Sequence, residues 1–116
     1  MTKAGRQEEF IMQFNEVLEE VRSKIKDVDI SGVGFLAVQV NLTGEANGVF
    51  YVEIKDGRVN VEPYEYIDRS CGLTISGENF LKLISRKLDP VAAYTTGKLK
   101  VDGDVGKALE FSRLLK

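Results

Sequence analysis

The chain has 116 residues, 43% hydrophobic and 29% charged, with a formal net charge of −2 at pH 7. One domain of ordinary globular make-up, spanning 1–116, is the expectation, because domains run about 100–200 residues. The chain has no His, no Trp and one Cys, Cys71, which excludes a Ser–His or Cys–His nucleophile, a His-containing zinc site and an internal disulfide.

Eighteen acidic against sixteen basic residues also argue against a nucleic-acid binder, whose affinity rests on basic patches. The charge is unevenly spread. Residues 82–116 carry eight Lys/Arg and four Asp/Glu, leaving eight and fourteen in residues 1–81. A basic end of this kind can attract anionic headgroups. No apolar run reaches the roughly 18 residues of a membrane span, and the opening MTKAGRQEEF lacks a signal-peptide core. The expected compartment is therefore the cytoplasm.

Residues 7–28 are expected to form an amphipathic helix, with Phe10, Phe14, Val17, Leu18, Val21, Ile25 and Val28 on one stripe. Residues 33–43 alternate as a strand, with Leu36, Val38, Val40 and Leu42 on one face and Ala37, Gln39 and Asn41 on the other. A second strand over 49–55 turns at Asp56-Gly57, a hairpin signal, into a short third strand of Val59 and Val61. Pro63 ends it.

After an irregular stretch, Cys71, Leu73 and Ile75 mark a fourth strand. Ser76 is an N-cap for a helix expected to reach Leu88, with Phe80, Leu81, Ile84 and Leu88 on one side. Asp89-Pro90 starts a short helix containing Ala93 and Tyr94. Lys98 to Val101 reads as a fifth strand, and a last helix begins after Gly103-Asp104. On it Val105, Ala108, Leu109 and Leu115 form a stripe, with Phe111 at its edge and Leu114 opposite. This order predicts an α+β domain with one mostly antiparallel five-stranded sheet covered by helices.

Chemistry-bearing motifs are few. Gly103-Asp-Val-Gly106 opens a helix but matches no phosphate-binding pattern, and reads as a tight strand–helix turn. Cys71 shares its strand face with Leu73 and Ile75 and reads as a buried, unreactive thiol. No pair of carboxylates has a local means of desolvation, so no enzyme, metal or cofactor is expected. The second half is instead rich in large apolar side chains, which suit either a ligand cavity or a docking face.

The order of residues from Cys71 to Leu109 resembles the sterol carrier protein type 2 family, as a standalone member of prokaryotic type. The resemblance rests on Asn79-Phe-Leu-Lys-Leu83, Leu88-Asp-Pro90, Ala93-Tyr94, Gly97-Lys-Leu-Lys100, Gly103-Asp-Val-Gly106 and Ala108. The strand Phe50-Tyr-Val-Glu-Ile-Lys-Asp-Gly57 resembles the family's second strand and hairpin. The turn that carries Met in many animal members here holds Asp104 and Val105, and the chain ends without a peroxisomal signal.

The resemblance implies a hydrophobic tunnel enclosed by sheet and helices. It also implies non-enzymatic binding or transfer of a fatty acid, fatty acyl-CoA or phospholipid, sterol itself not being expected. Ligand contacts would fall on Phe50, Val52, Phe80, Ile84, Leu88, Ala93, Tyr94, Leu99, Val105, Ala108 and Leu109. Transient contact with an anionic membrane would use the basic C-terminal third, and a homodimer is a further expectation. The alternative is an accessory module with a filled core, touching a partner enzyme or lipid-biosynthesis assembly through Phe111 and Leu114.

Overall fold

The computed structural model describes residues 3–115, with side chains from residue 14 onward; Phe10 of the expected helix stripe lies outside the described side chains. Helix α1 spans Lys3–Lys26, starting before the expected residue 7. It ends short of residue 28, because the Asp27 and Val28 amides donate back to the Lys24 and Ile25 carbonyls in a tightened last turn. Val17, Leu18, Val21 and Ile25 are buried at the spacing read from the sequence.

The strands are β1 (Leu36–Thr43), β2 (Gly48–Lys55), β3 (Arg58–Glu62), β4 (Cys71–Ser76) and β5 (Lys100–Gly103), in sheet order β3-β2-β1-β4-β5. The sheet is mixed. β1 pairs in parallel with β4, and the other three pairings are antiparallel. β1 begins at Leu36 rather than 33, since the Val33 amide still closes a turn onto Ile30. Asp56 and Gly57, at φ 54° and 74°, are both left-handed, as a two-residue hairpin of this hand requires.

Register places the large buried apolar side chains of the strands on one face, with Val49 and Tyr51 on the other. Val38 lies opposite Val52 and Cys71, and Val40 opposite Phe50 and Leu73. The helices α1, α2 (Gly77–Ile84) and α4 (Val105–Leu114) pack there. Phe50 stands edge-on to Phe14 and Phe80, with centroids 6.4 and 5.8 Å away. Each such pair adds about 0.5–1.5 kcal/mol beyond area burial.

The opposite face is not open. Ala37 and Gln39, expected on that face, are buried. Segment 63–70 crosses them. The Tyr66 amide donates to Gln39 Oε1, the Tyr66 hydroxyl donates to Glu53, and the Ser70 amide donates to the Ala37 carbonyl. Gln39 in turn donates to Asn41. Among the described residues no buried side-chain polar atom lacks a partner.

Helix α2 stops at Ile84 rather than Leu88. Arg86 turns left-handed, at φ 66°, and the Lys87 amide reaches the Lys82 carbonyl at 2.7 Å while the Arg86 amide reaches Leu83. This is a Schellman closure, with Arg in the place Gly usually takes. Asp89 then caps α3 (Pro90–Thr95), accepting from the Ala92 amide. β5 starts at Lys100, not Lys98, because the Leu99 amide is tied to the Ala93 carbonyl. Gly103, at φ 81°, makes the turn into α4, and a Cβ there would stand 2.9 Å from the Ser70 carbonyl oxygen.

Candidate functional site

Helix α4 carries two apolar faces. Ala108, Phe111 and Leu115, spaced three and four apart, face the core, and Phe111 is completely buried. The expectation that Phe111 sits at a stripe edge and offers a contact surface is corrected by this burial; Leu114 is half-buried against the core. Val105, Leu109 and Ser112, at steps of four and three, face away toward α3 and β5.

Between them lies an apolar pocket of about 190 Å³, lined by Pro90, Val91, Tyr94, Leu99, Val101, Val105, Ala108, Leu109 and Ser112. Val91, Tyr94, Val105 and Leu109 are exposed at its rim. The Ser112 hydroxyl donates to the Leu109 carbonyl at 2.8 Å, so it presents only acceptor lone pairs to the space. The walls are held by two capped helices: Asp89 caps α3, and Asp104 Oδ1 accepts the Lys107 amide at 3.2 Å. The Asp104 carboxylate itself occupies the start of α4, so Gly103 to Gly106 is a turn rather than an anion cradle.

Clefts of about 510 and 530 Å³ flank α1, with Glu16, Glu45 and Glu78 around one and Arg22, Lys26 and Glu62 around the other. Their walls mix apolar with charged and polar groups, Ile25, Val28 and Val59 standing beside Arg22 and Lys26 in the second, and so do not match a purely apolar ligand. The pocket under α4 does, since small-molecule sites are predominantly apolar with few polar groups.

The eleven expected contact residues divide. Tyr94, Leu99, Val105, Ala108 and Leu109 line the pocket. Phe50, Val52, Phe80, Ile84 and Ala93 are buried instead in the packed core, and Leu88 is half-buried after α2. The expected tunnel is not seen among the described residues: Phe50, Phe80 and Phe111 are completely buried in the core, and the pocket lies beside them. Sequence reading missed Pro90, Val91, Val101 and Ser112. Three of them were one step away: Val91 is three before Tyr94, Ser112 four after Ala108, and Val101 follows Leu99 by two.

The ionisable groups point to no reacting centre. Burial, reinforced by the nearby Asp102 and Asp104 carboxylates, pushes the Cys71 thiol up to about 11. The strongest shift besides lies on the far face of the sheet. Donation to Glu53 holds the Tyr66 phenol at about 12, and the same bond lowers Glu53. Among the described residues no cluster of three His, Cys, Asp or Glu is placed to hold a metal, and no helix is long and apolar enough to cross a membrane.

A five-stranded mixed sheet with helices on one face, and an apolar pocket beneath the last of them, defines a small α+β domain. Residues 14–116 match the SCP-2 sterol transfer family, and the chain belongs to it. It is 29% identical over 105 residues to human sterol carrier protein 2, covering 86% of this chain and 19% of that protein. The chain thus spans about a fifth of that relative's length.

Two solved domains from Aedes aegypti share the fold. Sterol carrier protein 2 like 2 superposes with a TM-score of 0.71 at 20% identity, over 89% of this chain and 96% of that one. A palmitated form of the same name superposes at 0.67 and 19% identity, over 85% and 90%. Lipid binding and transfer is the family's general activity, and its domain is generally non-enzymatic.

Proposed function

We propose that this protein binds the acyl chain of a fatty acid, fatty acyl-CoA or phospholipid in the pocket between α3, β5 and α4, without chemical turnover. The carrying observation is the pocket wall, apolar save for Ser112 and rimmed by four exposed apolar side chains. The palmitated Aedes aegypti relative of the same fold supports an acyl ligand.

At ~30 Å³ per methylene-sized group, 190 Å³ holds about six such groups. Burying about six gives ~5 kcal/mol before binding entropy is subtracted. A sixteen-carbon chain therefore needs α3 and α4 to part, or leaves its outer carbons along the rim of Val91 and Val105. Lys98, Lys100 and Arg113 are exposed near the rim residues in sequence, where they would draw a carboxylate or phosphate headgroup and an anionic membrane surface. A cytoplasmic setting belongs to the same reading.

The test is native mass spectrometry of freshly purified protein, followed by solvent extraction and lipid identification. One acyl lipid per chain is the expected result. An empty protein that also fails to take up a fluorescent fatty acid overturns the proposal.

A further inference from the structure

β3 is an edge strand, and antiparallel pairing fixes which of its backbone groups face outward. The hairpin pair Lys55 and Arg58, and then Glu53 and Asn60, spend their amides and carbonyls on β2. Val59 and Val61 therefore direct theirs away from the sheet. The structure bears this out at one group: Arg22 of α1 reaches round the edge, and its Nε and Nη2 donate to the Val61 carbonyl at 3.1 and 2.7 Å.

That guanidinium is held from both sides. Its Nη1 lies 2.8 Å from Glu19, and its Nη2 lies 3.6 Å from Glu62. The Val59 amide and carbonyl and the Val61 amide have no hydrogen-bond partner among the described residues, and they border the cleft that Ile25, Lys26 and Val28 line from the other side. An unpaired edge of this kind is a template for another strand.

The strand Arg58-Val-Asn-Val-Glu62 is complementary to itself. Turned antiparallel about Asn60, Val59 of one copy meets Val61 of the other, and both present outward amides and carbonyls. Arg58 then stands opposite Glu62 at each end. Opposite charges directly across an antiparallel pair are stabilising and like charges are not. The two-fold that creates this register is the symmetry of the commonest homodimers.

We propose that the β3 edge pairs with β3 of a second copy of this chain, and that Arg22 is the guard that closes it. While the guanidinium holds the Val61 carbonyl, one of the outward backbone acceptors is taken and the edge stays single. When Arg22 lets go, the two sheets join into one continuous sheet through Val59 and Val61. This interface lies apart from the α4 pocket and does not depend on the ligand.

Sedimentation equilibrium on the full chain tests it. The wild type is expected at the monomer mass of 12.9 kDa, and Arg22→Met at twice that under the same conditions. Adding Arg58→Glu, which sets two carboxylates opposite each other at each end, returns the mass to that of the monomer. Adding Glu62→Arg as well restores the doubled mass. Circular dichroism checks each fold, and Arg22→Gln replaces Arg22→Met if the latter is unfolded. A guard variant that stays monomeric overturns the proposal. So does one whose association ignores the charge exchange, which would place the contact on another surface.

Discussion

Replacing Leu109 by Trp tests the pocket most directly. Leu109 lines the wall and is 38% exposed at the rim, so the new ring has a way into the space without displacing the core. Trp brings about six more heavy atoms than Leu, enough to fill a space sized for about six methylene groups. If half of them turn inward, ~2.5 kcal/mol of apolar contact is denied to the ligand. That weakens binding by roughly fifty- to a hundredfold.

The assay is titration with a fluorescent fatty acid, beside circular dichroism and a melting curve. The melting temperature should move by less than about 4 °C, because the site is partly exposed. Leu114→Trp, outside the pocket, should leave uptake near the wild-type value. A folded Leu109→Trp protein with undiminished uptake would refute the assignment of the pocket.

Other consequences are equally specific. Arg86→Gly should stabilise the fold by ~0.5–1 kcal/mol in urea denaturation, since an L-residue held left-handed costs more than glycine's extra chain entropy. Tyr66→Phe removes the phenol's hydrogen bond to Glu53, and should cost ~1 kcal/mol at neutral pH. In the wild type the Tyr66 phenol titrates at about 12. Its contribution is full below the ordinary tyrosine value and is lost as pH rises toward 12, whereas that of Glu53, whose own value is lowered, is lost on acidification. Tyr66→Phe should therefore flatten both limbs of a stability–pH curve, and an NMR titration should show Glu53 moving up. Cys71, buried and held at about 11, should react with a disulfide reagent far more slowly in the native than in the unfolded protein. Equal rates would contradict its burial.

The strands were legible because alternation is a local signal. Leu36 to Leu42 and Cys71 to Ile75 each put one side chain in two on the same face, and register then matched them. The parallel union of β1 with β4 was not legible, because it joins segments whose separation in sequence leaves no periodic trace. Nor was the stop at Ile84. The apolar spacing runs on to Leu88, and the closure depends on Arg86 adopting a conformation that sequence assigns to glycine. On α4 the spacing was visible, but two faces were read as one. Phe111 belongs with Ala108 and Leu115 toward the core, and Leu109 belongs with Val105 and Ser112 toward the pocket. Periodicity gives the angle between side chains, but not which face meets the sheet.

The crossing that places β4 beside β1 bears on how the domain is made. During synthesis α1, β1, β2 and β3 emerge first, and their contacts are local enough to form a meander unaided. In that state β1, central in the finished sheet, is an edge. Its Leu36, Val38, Val40 and Leu42 lie half covered, and one side of its backbone is unpaired. The edge closes only when β4 arrives, after segment 63–70 has traversed the far face and set Tyr66 over Gln39. Until then the nascent chain exposes the strand that ends up most deeply buried, and crowding, slow translation or a weakened strap at Tyr66 would lengthen that exposure.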